Sequence, residues 1–456
     1  MTICEDFARF IYQTKYEDLQ EDVISVAKER ILDTVGALIA GYSNWDYSKV
    51  FIESSRFIDC GDYKAIGSEK NEFSMARVAM INSTFAHSVE LDDGHKNAGC
   101  HAGAVVVPTA LAIAQKLGIS GKDLILAVVL GYEITYRVAV SVNPAQIGKG
   151  FHPSSNCGVF GAVAVAAKLM SLSEAQIANA LGQASMLASG TMEATISGQS
   201  AKCVQVGYAA YSGIQASILA KAGLEGCITA LEGKFGLFNL QSEKVDVENV
   251  CKDLGTRYLI ADTYNKMYPT CRHAQPGIEA VIELIKEHQF QPDEVSLIKI
   301  GTHEVAYNLT GIIQAPKDSG EAKFSLAYGA AVAMTEHAFG VTHLMPEFYN
   351  NNKIIDLAKK VECEIDETIQ SVFPKKRGAK VKIFMTDGSV FEKTLFDLKG
   401  SPNNPVGWQE LEEKFIANTL SVFSRAQVNK LIQNIKHIEE IDDTTQFATL
   451  MPEGDH

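Results

Sequence analysis

Apolar residues recur every three or four positions through "VISVAKERILDTVGALIAGY" (Val23 to Tyr42), which predicts an amphipathic helix with one buried face. Helical spacing continues to about residue 260. "LILAVVLGYEITYRVAVSV" and "GVFGAVAVAAKLM" are apolar nearly all round, so they belong at the centre of a large helical body, where glycine and alanine let backbones approach. "SGKD" (Ser120 to Asp123) and "SEAQ" (Ser173 to Gln176) read as capping boxes that open helices. Pro108 suits a first helical turn, and Gly118 the C-terminal stop of the same helix.

The pattern changes after Lys266. "VSLIKIGTH" reads as a strand, and "KVKIFMTDGSVFEKTLF" alternates on both sides of Asp387-Gly388, a hairpin signal. Helical segments around "AKFSLAYGAAVAMTEHAFG" and "NKIIDLAKKV" lie between them. From "GSPNNPVGWQELEEKF" the chain is helical again and is expected to pack back on the first body. The expected fold is therefore mostly α. A discontinuous all-helical domain takes residues 1–265 with 401–456, and a smaller α+β lid domain with an antiparallel sheet takes 266–400. At 456 residues the chain is long enough for two cores.

Composition narrows the function. A net charge of -14 argues against nucleic acid or an anionic membrane as partner, since either needs a basic face. The nine cysteines are odd in number, scattered and free of C-x-x-C pairs, as expected of reduced thiols in a cytoplasmic protein. The N-terminus carries acids early and lacks a signal-peptide pattern, and no apolar run reads as a membrane span. If the substrate is an anion, an acidic protein must gather its binding cations locally.

Four polar clusters could carry chemistry. "AHSVELDDGHKNAGCHAGAVVVPTALAIAQ" packs His87, Glu90, Asp92, Asp93, His95 and His101 in front of an apolar helix. The residue types suit a metal site, an acid–base site or a polar corner, and the spacing matches no specific metal motif. "GKGFHPSSNCGVFGA" sets His152, Ser154, Ser155 and Asn156 before a buried helix, as an anion site or as plain N-caps. "SGQSAKCVQVGYAAYSG" holds Lys202 among small apolar residues, where it must snorkel outward or meet an anion. "YNKMYPTCRHAQPGIEA" gathers Lys266, Tyr268, Cys271, Arg272 and His273 at the expected domain junction. Histidines and an acid can move protons while lysines and an arginine neutralise carboxylates. That combination points to elimination, decarboxylation or epimerisation beside a carboxylate.

These motifs, taken in order with "AKFSLAYGAA" and "DLKGSPNNP", resemble the MmgE/PrpD family over nearly the whole chain. The resemblance implies a homodimer with a metal-independent site, no cofactor, and catalysis in a cleft between two domains. It assigns catalytic positions to Glu90, His101, His152, Lys202 and Lys266, and substrate contacts to Cys271 and Tyr328. Arg272, His273 and Ser154 join them as expected substrate-binding residues, while Asp92, Asp93 and His95 are expected to hold the loop in shape. Gly94, Ala102 and Gln275 depart from the family's usual threonine, proline and histidine. The implied activity is a lyase acting on a small di- or tricarboxylate. Dehydration of the 2-methylcitrate type comes first; decarboxylation of cis-aconitate, epimerisation of an amino or imino dicarboxylate, and a non-catalytic binding role are the alternatives.

Overall fold

A computed structural model describes residues 1–243, 245 and 247–450. The protein is mostly α. One core draws on residues from Ile3 to Ile260 and again from Val406 to Leu450. A second is built from Ala274 to Met385 and also takes in Ala37, Ala40, Val89 and Leu91. Those last two flank Glu90, so the loop with the catalytic candidates lies where the cores meet.

The helix Gly121–Val142 sits at the centre of the first core. By length and composition it could cross a membrane, contrary to the expectation that no run would reach that limit, yet 89% of its apolar window is buried inside the protein. Its two interior charges are paired, with Arg137 Nε donating to Glu133 Oε1 at 2.6 Å. The C-terminal helix Trp408–Thr419 packs on Glu21–Asn44. Lys414 from the former reaches Asp33 at 2.5 Å and the Leu91 carbonyl at 3.1 Å, tying the end of the chain to the site loop.

Helix ends differ in detail from the expectations. The box at Ser173 is complete, with Gln176 Oε1 accepting from the Ser173 N–H at 2.9 Å. At Ser120 the Asp123 carboxylate, one methylene shorter, instead meets the serine hydroxyl at 2.7 Å. Pro108 does not open its helix: Gly103–Leu117 begins five residues earlier and carries the proline inside. Gly118 does stop it, at φ 58°.

In the second core the strand Val295–Thr302 pairs antiparallel with Ala379–Met385, which forms the expected hairpin with Val390–Leu395. The sheet is mixed, not purely antiparallel. An edge strand, Val361–Ile365, runs parallel to Val295–Thr302 after the helix Asn352–Ala358. Its five residues alternate apolar and acidic, but as an edge strand only Val361 is fully buried.

Candidate active site

The helix Met75–Ser88 ends one turn before the site. Its last carbonyls have no partner within the helix, and Lys323, from the other core, donates to Ser88 O at 2.8 Å. Glu90 then adopts a left-handed conformation at φ 53°, which for a residue with a side chain costs about 1–2 kcal/mol. The turn folds the chain back, so that Asp92 Oδ2 meets His87 Nδ1 at 2.6 Å, inside the protein.

Glu90 is the hub of a buried charge cluster. Lys266 Nζ donates to one oxygen at 2.9 Å, and Lys202 Nζ contacts the other. Lys266 also lies 3.7 Å from Asp92. Burial alone would push both carboxyls up. For Glu90, Lys202 and Lys266 outweigh it; for Asp92, His87, His101 and Lys266 do, so both stay charged. Lys266 is held in its charged form by Glu90 and Asp92 against desolvation. A narrow cleft of about 10 Å³ opens beside them, lined by His87, Glu90, Lys202, Lys323 and Phe324 among others.

Three histidines stand next to this cluster. The His87 ring lies 5.3 Å from His101 and 5.5 Å from His152, centre to centre. His101 Nδ1 is 2.6 Å from the Asp93 carbonyl oxygen, which can only accept, so the proton is on Nδ1 and the Nε2 lone pair is free. Burial pushes its pKa down to about 4, and Asp92 only partly opposes the shift, so the resting imidazole is neutral. Ser154 does not point at a ligand: its Oγ accepts from the His101 N–H at 3.0 Å and fixes the loop. His152 is buried with an unpartnered Nδ1, and burial holds it neutral as well. Ser155 and Asn156 are neither helix caps nor anion ligands, because they bond the carbonyls of Ser189 and Gly190 instead.

Not every expected residue joins this group. Tyr328 is buried in the second core, where its hydroxyl donates to the His343 carbonyl at 2.6 Å. His273 meets His303 at 3.3 Å. Arg272 bonds Asn265 O, Gln275 Oε1 and Ser401 Oγ and lies 4.5 Å above the Tyr264 ring. Cys271 is half-buried, its thiol pushed up by burial and then by the Glu90 charge. Gln275 anchors the backbone at Tyr268 at 2.9 Å, so this departure from the family pattern supports the segment from behind. Gly94 has a steric reason: a Cβ there would lie 2.5 Å from the Tyr264 hydroxyl and 3.1 Å from His101 Nδ1.

Lys323 is a site residue that the sequence reading does not single out, and His87 and Asp92, named only as members of the first polar cluster, join the site directly. Lys323 carried a signal, a lone lysine in the apolar run "AKFSLAYGAA". Asp92 had been expected only to shape the loop. His95 fits that role better, accepting from Ala98 N–H at 3.1 Å and packing 4.8 Å from Tyr136. Among the described residues, no group of three or more His, Cys, Asp or Glu is arranged to hold a metal ion. The lysines supply the concentrated positive charge.

Two predictions follow from this electrostatics. Lys202→Ala is expected to weaken binding of a polycarboxylate by about 1.5–3 kcal/mol, because Lys266 still neutralises Glu90 while one charge-assisted contact is lost. Calorimetric titration beside a melting curve checks it: normal affinity with a large drop in Tm contradicts the assignment. The second concerns pH. His95 and His101, each pushed down to about 4 mainly by burial, stay neutral in the fold but protonate near 6.5 when unfolded. Their contribution is therefore present above pH 6.5 and lost as pH falls toward 4, and His152 and His273 act with the same sign. Asp93, pushed up to about 7 by burial, acts oppositely, its contribution being present at low pH and lost as pH rises through 7. His303 and His343 are depressed by burial as well, while Glu29, Glu133 and Glu279 are raised and act with Asp93; the six histidines outnumber the four carboxyls, so the unfolding free energy is expected to fall between pH 6.5 and 4. Urea titrations at stepped pH read this directly, and His95→Gln is expected to reduce the slope by up to about 1.4 kcal/mol per pH unit.

The sequence matches two family models, the MmgE/PrpD N-terminal domain over residues 5–249 and the MmgE/PrpD C-terminal domain over residues 268–438. Among curated relatives, the cis-aconitate decarboxylase of Homo sapiens is 28% identical, with 99% of this chain and 94% of the relative aligned. That of Mus musculus is 26% identical over 99% and 93%, and that of Aspergillus terreus 27% over 95% and 93%. The chain is thus an enzyme, a lyase belonging to the MmgE/PrpD family.

Proposed function

We propose that the protein is a carboxy-lyase that decarboxylates cis-aconitate or a closely similar unsaturated tricarboxylate. The observation that carries this reading is the convergence of Lys202, Lys266 and Lys323 on the Glu90 turn beside three histidines that are free of any metal geometry. The similarity to cis-aconitate decarboxylases of animals and a fungus supports decarboxylation over dehydration of 2-methylcitrate, the reading that the motifs alone had put first.

The chemistry follows from charge. A tricarboxylate brought among the lysines competes with Glu90 for them. Its negative charge also raises the basicity of His101, so Nε2 takes up a proton as substrate binds. The bond to the departing carboxylate then breaks, and its electrons form a new C=C bond. The old π pair takes the His101 proton at its far carbon, and CO2 leaves. Trianion plus one proton gives a dianion plus CO2, so charge balances. The lysines hold the remaining carboxylates while charge moves along the carbon frame. A panel of cis-aconitate, citrate and 2-methylcitrate followed by NMR tests this. Faster turnover of cis-aconitate with loss of one carbon is expected; selective dehydration of 2-methylcitrate overturns it.

The working form is a homodimer in this reading. The packed helices Glu174–Leu187 and Val204–Lys221 leave Met186, Leu187, Tyr208, Ile218 and Leu219 exposed, an apolar strip of the kind that subunits cover. Light scattering is expected to give twice the 49.5 kDa of one chain. A mass of one chain at micromolar concentration contradicts it.

A further inference from the structure

A second cleft, of about 410 Å³, lies on the other side of the Gly94 loop. It is the opposite of the protein as a whole in charge. Lys96, Arg272, Lys375, Lys376 and Arg377 all line it, and among the described residues none of the five has a carboxylate within 4.0 Å. The sixth cation there, Arg257, is paired with Asp262 at 2.6 Å. Asp262 and Asp397 also line the cleft, so six cations face two carboxylates and the wall keeps a net positive charge in a chain of net charge -14. Burial first, then repulsion from Arg377, lowers the pKa of Lys96, and Asp397 opposes the shift. Arg377 keeps a buried Nε with no hydrogen-bond partner.

Tyr264 forms the inner wall of this cleft. The ladder pairing Gly94 with Tyr264 presses the tyrosine against the site loop, and its ring stands perpendicular to that of His101 at 6.5 Å. The hydroxyl occupies the space that a side chain on residue 94 would fill, and it has no hydrogen-bond partner among the described residues. Of the residues lining the cleft, Tyr264 is thus the one packed against the proton-carrying histidine.

We infer that this basic cleft captures the carboxylates of the polyanionic substrate, with Tyr264 standing between the captured molecule and His101. The inference rests on the proposal that the substrate is a tricarboxylate. An excess of cations in a concave wall concentrates anions that the rest of the acidic surface repels, and it raises the association rate in a salt-dependent way. The cleft accounts for Arg272, which the resemblance alone could not place, and for Gly94, whose missing side chain makes room for a hydroxyl from the neighbouring strand.

The test uses the full-length double variant Lys375→Gln/Arg377→Gln beside a control of equal charge loss, Lys353→Gln/Lys430→Gln, at exposed positions without ion pairs. With cis-aconitate, the cleft variant is expected to show a roughly tenfold higher KM, a kcat near that of the parent, and a flatter dependence of kcat/KM on sodium chloride. The control is expected to match the parent. Calorimetric titration with propane-1,2,3-tricarboxylate, which cannot react, separates this inference from the reaction assigned above. Weaker binding by the cleft variant alone supports the capture site even if cis-aconitate is not turned over. Equal tricarboxylate affinity and unchanged salt dependence in the cleft variant overturn it.

Discussion

His101→Ala is expected to cut turnover by two to four orders of magnitude while leaving ligand affinity and Tm nearly unchanged. General acid–base groups contribute about 10²–10⁴ in rate, and His101 is the histidine whose Nε2 is both free and reachable. Its ring is tethered by one hydrogen bond to a backbone carbonyl, and the side chain keeps 17% of its surface exposed, so truncation leaves no large void. The lost bond is worth about 1 kcal/mol, a small change in melting for a protein of this size. His95→Ala is the contrast: it removes a loop contact against Tyr136 and is expected to lower stability more than rate. Steady-state kinetics and calorimetry of the two variants decide it. Equal losses of turnover at both positions contradict the assignment of proton transfer to His101.

Lys266→Met is expected to destabilise the protein by about 3–5 kcal/mol, the largest stability loss in the site. Lys266 is 1% exposed, and its ammonium lies 2.9 Å from Glu90 and 3.7 Å from Asp92. Removing it leaves two buried carboxylates with one lysine and the histidines, and desolvation that was offset becomes a net cost. The double variant Lys266→Met/Glu90→Gln is expected to recover much of the stability, because it removes the uncompensated charge, and to recover none of the activity. Urea unfolding of the single and double variants measures the coupling. Additive losses in the double variant show that the pair is not coupled.

Much of this was legible before any fold was known, for reasons tied to particular residues. The long periodic helix Glu21–Asn44, the Asp387-Gly388 hairpin and the glycine stop at Gly118 are local signals with local causes. Lys202 stands out because a lysine among small apolar residues needs an anion, and Lys266 because it opens a cluster of polar residues at the expected domain junction; both meet Glu90. What stayed hidden depends on the path of the chain. The left-handed turn at Glu90, which brings Asp92 back to His87, has no sequence mark, since the residue there is not glycine or asparagine. Lys323 approaches the Ser88 carbonyl from 235 residues away in sequence. The cations of the second cleft are split among residues 96, 257, 272 and 375–377, and only the strand pairing at Gly94 sets Tyr264 beside His101 in its wall. Tyr328 was misplaced because a motif match carries no information on which way a side chain points.

The most direct test of the central claim is proton NMR of cis-aconitate incubated with the enzyme in D2O. The account predicts a new pair of vinylidene protons, release of CO2, and one deuterium at the former alkene carbon, delivered from His101. Formation of a hydrated six-carbon acid, or no reaction under conditions where 2-methylcitrate loses water, would contradict it.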